Sequence, residues 1–351
     1  MSSINNGDDH TTPTNQLSPL IAMVPIEVYH IIFQFVENHN LTTLSCVSRI
    51  FQYEAEHILY QSVDLTKGDC RSGIVSWCTA VTNVERRARR VQSLRFPPRY
   101  PPILGSSPPT LILGDSQIHK LVAQAFNKII NLKHLFFFGA GDYPVTLYPS
   151  TLKDCTFRLS SFVGQVSSFS SQDQIDFLSK HPDIEYWVPT QPFLLSVNSF
   201  PKAMLPRLRE LVLTHPKLTS AFKGRPIEAL VLFFIHARHT RDIGREAIIP
   251  MGSFKETLHT LVYIHGKLSN EWSTVDIIND LAERVPHLRS LSFTSLGNDD
   301  SVVSHNFFYV APKYIPKVQI SYLLTISRTS WTLFPDYTIW RLCYSTLIWK
   351  P

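Results

Sequence analysis

Residues 208–213 read LRELVL: an apolar residue, two polar ones, a leucine, one further residue and an apolar one. The alternation at its end is that of a strand. The same template returns, with small variations, as VQSLRF (91–96), LKHLFF (132–137), LKDCTF (152–157), IEYWVP (184–189), IEALVL (227–232), LHTLVY (258–263) and LRSLSF (288–293). Its fourth position holds Leu94, Leu135, Cys155, Trp187, Leu211, Leu230, Leu261 and Leu291, at gaps of 19 to 41 residues. Helical patterns lie between the copies. In DSQIHKLVAQAFNKII (115–130), Ile118, Leu121, Val122, Ala125, Phe126 and Ile129 form one stripe, and STVDIINDLAERVP (273–286) carries Val275, Ile278, Leu281 and Ala282 on one side. SSQDQIDFLSKHP (170–182) is expected to open on a capping box of Ser171 with Gln174. Pro182, Pro206, Pro226 and Pro286 stand one or two residues ahead of a copy, where they end the preceding segment.

Strand and helix alternating at this spacing predict an α/β solenoid with a parallel sheet, in which no unit buries its face alone. A doubly wound α/β domain also alternates strands with helices. The recurrence of one template favours the solenoid, and the uneven spacing favours the other.

Apolar residues make up 44% of the 351-residue chain and charged ones 17%, which predicts packed cores. A net charge of +5 is small for this length and gives no general case for nucleic-acid binding. The five cysteines, Cys46, Cys70, Cys78, Cys155 and Cys343, are odd in number and scattered, which argues for a reducing compartment rather than a disulfide framework. Residues 1–20 are polar and read as a disordered tail without secretory character. The longest apolar run, Ala229–Ile235, is too short to cross a bilayer. The expectation is an intracellular protein of the cytoplasm or nucleus, with no membrane partner.

Residues 21–65 read as a separate helical unit. In VPIEVYHIIFQFV (24–36), Val28, Ile31, Ile32, Phe35 and Val36 follow the stripe of a helix with one buried face, while Tyr29 and Phe33 form a second apolar row. The second row is expected as a patch that a partner covers. Pro25 suits the helix start and Glu27 its first turn; the helix is expected to end near Glu37–His39, with Asn40 capping the next one. Leu41, Leu44, Val47, Phe51, Ala55 and Ile58 then recur at helical spacing up to Tyr60.

Two features together resemble one family. Pro25 and Glu27, then Ile32, Phe33 and Val36, then Leu41 and Leu44, then Val47-Ser48-Arg49 with Phe51, and a closing Leu59-Tyr60 resemble an F-box. The strand templates over 66–351 are similar to the leucine-rich-repeat-like domains that follow F-boxes, especially in fungal proteins. The chain departs from the F-box pattern at Val24 and Cys46, where Leu is usual, and at Phe51, where many members have Trp. In LRELVLTHPKL and LHTLVYIHGKL, Pro216 and Gly266 stand where regular repeats have Asn.

The resemblance implies a three-helix F-box followed by an irregular leucine-rich-repeat-like solenoid with a C-terminal cap. It implies a non-enzymatic substrate receptor that binds a Skp-type adaptor, and through it a cullin–RING ubiquitin ligase, as well as an unknown target protein. Adaptor contacts would come from Pro25, Val28, Ile32, Phe33, Val36, Leu41, Leu44, Val47 and Phe51. The alternative is a repeat-domain scaffold acting outside any ligase.

Other motifs are weaker. ERRARR (Glu85–Arg90) is the densest basic run and reads as the end of the first helix of the repeat domain, or as a nuclear import signal. HARH (236–239) and the Cys70/Cys78 pair lack the partners a metal site needs. No phosphate-binding glycine loop or nucleophile elbow occurs, so neither cofactor nor catalytic residues are expected. FPPRYPPILGSSPPT (96–110) reads as a connecting loop, and the aromatic-rich Ile320–Pro351 as the cap of the last repeat.

Overall fold

The computed structural model describes residues 24–66, 70–96, 115–137, 149–164, 170–189, 200–201, 203–213, 216–234, 248–265, 274–295 and 319–322. The N-terminal tail, HARH, nearly all of the 96–110 loop and of the C-terminal stretch lie outside these residues. The chain divides into two compact units, Met1–Tyr60 and Gln61–Pro351.

The second unit is built on a ten-stranded sheet: β1 (Ser62–Asp64), β2 (Ser93–Phe96), β3 (His134–Phe137), β4 (Ser161–Gly164), β5 (Tyr186–Pro189), β6 (Glu210–Leu213), β7 (Ala229–Phe234), β8 (Thr260–His265), β9 (Ser290–Ser295) and β10 (Gln319–Tyr322). Every neighbouring pair is parallel, and the spatial order is the chain order. A doubly wound sheet reverses its strand order at a switch point. This one never does, so the architecture is α/β and solenoid-like.

One row of residues runs across the sheet: Val63, Leu94, Leu135, Phe162, Trp187, Leu211, Leu230, Leu261, Leu291 and Ile320 occupy matching register positions. The fourth template positions all stand in it except Cys155, whose place Phe162 takes. LKDCTF is no strand. Its Leu152 ends a short helix (Pro149–Leu152), and the Cys155 thiol donates to the Thr151 carbonyl at 3.6 Å. The true copy lies seven residues later, in LSSFVG (159–164). Its sixth residue is Gly164 rather than an apolar side chain, which hides it from the template. A Cβ there would lie 3.0 Å from Phe162 Cζ and 3.1 Å from Phe137 Cβ, so ring atoms already fill that place.

Register is fixed just ahead of each strand. The carbonyls of Gln92, Lys133, Ser160, Glu185, Arg209, Glu228 and His259, each at the second template position, accept N–H groups from two consecutive residues of the next repeat. The residues just before them, Val91, Leu132, Leu159, Ile184, Leu208, Ile227 and Leu258, are fully buried, so each turn is anchored on both sides of this junction. At the fifth position Phe136, Val163, Val188, Val212, Val231 and Val262 are buried as well. Positions four and five point to opposite faces, so the strands are covered on both, which is why they read as nearly continuous apolar runs.

Helices α4 (Cys70–Asn83), α5 (Glu85–Arg90), α6 (Asp115–Lys128), α7 (Pro149–Leu152), α8 (Ser171–Lys180) and α9 (Thr274–Arg284) stand between strands, and 3-10 segments replace helices at Pro216–Phe222 and Ile249–Phe254. The capping box at α8 is one residue earlier than expected. Ser170 accepts from the Asp173 N–H, and the Asp173 side chain accepts in return from the Ser170 N–H. Asp takes the role the sequence assigned to Gln174, whose side chain is buried. ERRARR forms its own helix, α5, after a break at Val84, rather than ending α4.

Rings pack in a line behind the sheet: Trp77 on Phe96 (6.2 Å), Phe96 on Phe126 (6.0 Å), Phe126 on Phe157 (5.9 Å) and Phe157 stacked on His181 (5.8 Å). His181 is buried, and its Nδ1 accepts the Leu159 N–H at 3.4 Å. Burial, helped by Lys180 and Arg158, pushes its pKa down to about 4. Farther along, the buried Arg225 donates to the carbonyls of Met204, Ala221 and Pro201, each at 2.9 Å, and lies over the rings of Phe200 and Phe222. Two of those carbonyls, of Pro201 and Met204, stand in the turn just ahead of Leu205, which takes a φ of 53°, a costly conformation for a branched residue. Arg225 holds that turn.

Two outcomes are expected. The neutral His181 ring is the form the fold accepts, so its contribution is complete above about pH 6.5 and fades as pH falls towards 4, by on the order of 3 kcal/mol. Urea titrations across that window should show the fade, and His181→Phe should flatten it. Arg225→Ala removes the side-chain donor to three carbonyls, of which that of Met204 is the buried one, and should cost roughly 2 kcal/mol, read as a lower unfolding midpoint.

Candidate docking surface

The first unit has three helices: α1 (Ile26–Gln34), α2 (Asn38–Leu44) and α3 (Arg49–Gln61). α1 starts after Pro25, as expected, but stops earlier, at Gln34. Phe35 and Val36 donate to the carbonyls of Ile32 and Phe33 at 3.1 Å, which tightens the last turn and ends it. α2 begins at Asn38 with Glu37 as its cap, so Asn40 lies inside the helix and does not cap it. Ser48 caps α3, its hydroxyl accepting the Phe51 N–H at 3.2 Å.

Phe33, Leu41 and Ala55 are buried at the centre, with Val36, Leu44, Phe51, Ile58 and Leu59 packed around them. Phe51 meets both Phe33 (5.3 Å) and Tyr29 (5.2 Å). The row that faces inward is therefore Tyr29–Phe33, which the sequence had placed outside. The stripe expected to be buried is the exposed one: Val28 is 40% exposed, Ile31 56%, Ile32 50% and Phe35 84%. Spacing alone cannot choose between two apolar rows on one helix. The aromatic row goes in because it brings the larger area and finds a ring partner on α3.

Of the residues assigned to adaptor contact, Pro25, Val28, Ile32 and Val47 are exposed, and Val36, Leu44 and Phe51 are half-buried. Phe33 and Leu41 lie inside and hold the unit together rather than presenting a surface. Ile31, Phe35 and Ile50 are exposed apolar residues outside that assignment. Ile31 and Phe35 were legible as one stripe with Val28, assigned to the wrong side. The result is a small unit with a filled interior and a second set of large apolar side chains in water, more than folding needs.

A polar cluster sits in the same unit. His30 Nδ1 is 3.1 Å from Glu54 Oε2, and the His30 and His57 rings lie 4.8 Å apart.

In the second unit, a cleft of about 380 Å³ is lined by Glu185, Pro206, Arg207, Arg209, Pro226 and Glu228, at the rim where β5 to β7 begin. Burial and the neighbouring Glu228 and Glu185 push the Glu210 carboxyl upward. Arg209 pairs with Glu228 at 3.7 Å, and Arg207 with Asp183 at 3.0 Å. On the basic helix α5, Arg89 is paired with Glu85. Burial pushes the thiols of Cys78 and Cys155 up to about 12, so neither is a ready nucleophile or thiolate ligand. Among the described residues no helix is long and apolar enough to cross a membrane. No known family model matches the chain, and comparison with curated proteins finds no similar one.

The two rows of α1 should respond differently to charge. Phe33→Asp buries a carboxylate in the centre of the unit and should unfold it, seen as lost helical circular dichroism and fast amide exchange over residues 26–61. Phe35→Asp, on a side chain 84% exposed, should change stability by no more than about 0.5 kcal/mol.

Proposed function

We propose that this chain is the substrate-receptor subunit of a Skp–cullin–F-box ubiquitin ligase, acting in the cytoplasm or nucleus. The three-helix unit would be the F-box, holding the Skp-type adaptor. The sheet domain would be the leucine-rich-repeat-like module that holds a target protein. The chain does no chemistry itself; it raises the target's effective concentration near the charged conjugating enzyme and orients it.

One observation supports this reading above the others. Val28, Ile31, Ile32, Phe35, Val47 and Ile50 are all exposed on a unit whose own interior is already filled by other residues. A standard protein interface covers roughly 800 Å² on each side around an apolar centre, and these side chains are of the kind that centre needs. The motif residues around Pro25, Val47-Ser48-Arg49 and Leu59-Tyr60 agree with it in sequence.

The test is co-purification with a Skp-type adaptor. Ile32→Asp with Phe35→Asp should abolish adaptor capture while circular dichroism stays unchanged, because both residues are at least half exposed. Phe33 is unsuitable for this purpose, since a charge there disrupts folding. Undiminished capture by the folded double variant, or no capture by the wild type, would remove the ligase reading.

A further inference from the structure

Inside the helical unit, Glu54 and His57 stand three residues apart on one face of α3, and His30 reaches them from α1. The Glu54 carboxylate is buried, at 5% exposure, and its Oε2 lies 3.1 Å from His30 Nδ1. One ligand atom from each of the three residues falls within 4.8 Å of the others. Two imidazole nitrogens and a carboxylate oxygen form a donor set used for zinc, and ligands on a tetrahedral zinc ion are about 3.3 Å apart. The His30–Glu54 pair is already near that separation. Rotamer adjustment of the half-buried His57 brings the third ligand in.

We propose that His30, Glu54 and His57 form a site for a divalent transition-metal ion, zinc by its ligand chemistry, that clips α1 to α3. This does not rest on the ligase reading. The Gln34 amide lies 3.1 Å from His30 Nε2. The atom at that distance is the amide nitrogen, which donates to Nε2; with the ion on Nδ1, Nε2 carries the proton instead, and the amide turns over so that its oxygen accepts it and fixes the ring. Three protein ligands leave the fourth position to water. The gain falls on a unit too small to build a large core of its own, where one metal clip contributes much of the stability.

The full-length protein is stripped with chelator and titrated with Zn²⁺ against a chromogenic competitor. One tight equivalent is expected, with a rise in thermal midpoint. His57→Ala and Glu54→Gln should each weaken that equivalent at least about tenfold and remove the rise. These variants are needed because 14 histidines offer other weak sites. Co²⁺ in place of Zn²⁺ should give the intense visible absorption of tetrahedral coordination in the wild type, and none in His57→Ala of unchanged circular dichroism. Equal zinc binding by wild type and variants, no thermal shift, or a weak octahedral Co²⁺ spectrum each overturn the site.

Discussion

A carbonyl shared by two N–H groups, repeated from Gln92 to His259, is the constraint on which the sheet depends. It aligns each turn before its strand begins. Intervals between strands are then free to vary from a 3-10 segment to a full helix without shifting the row from Val63 to Ile320. A one-residue slip would turn every buried side chain to the opposite face. Here the slip is resisted at the junction itself, by two hydrogen bonds and a fully buried neighbour at each turn.

The helical unit obeys a different rule. Its α1 carries two apolar rows, and folding consumes only one. Ring against ring decides which, as Tyr29 and Phe33 close on Phe51. The aliphatic row of Val28, Ile31, Ile32 and Phe35 is left over, so the same short helix holds its unit together and presents grease to water. Exposure of that row follows from the packing of the other.

Much of the fold was legible because it is written in a period. The template located seven strands from their fourth residues, and the stripe of 115–130 located α6. It failed at Cys155, where a frame with the right apolar spacing lies seven residues from one broken by Gly164. Only the neighbouring rings of Phe137 and Phe162 reveal why glycine belongs there. β1 and β10 went unseen because their frames, YQSVDL (60–65) and KVQISY (317–322), put Val63 and Ile320 where the template has leucine, and the second opens on Lys317 instead of an apolar residue. The surplus apolar surface of α1 was legible in kind and inverted in side: sequence shows two rows, whereas which one faces inward is set by a partner ring on another helix. The His30, Glu54 and His57 cluster was not legible, since His30 lies 24 and 27 residues from the other two and meets them only through the α1–α3 packing.

The covering of both sides of the sheet from β3 to β8 has a consequence for recognition. Among the described residues these strands leave no open palm for a second chain to lie against. What the domain would present to another protein is the rim where strands begin, like the teeth of a comb, with side chains such as Lys133, Glu185, Arg209 and Glu228, one tooth for each turn. Each tooth can be exchanged for another without disturbing the spine, so affinity for a new companion is reachable in single steps that leave the scaffold intact.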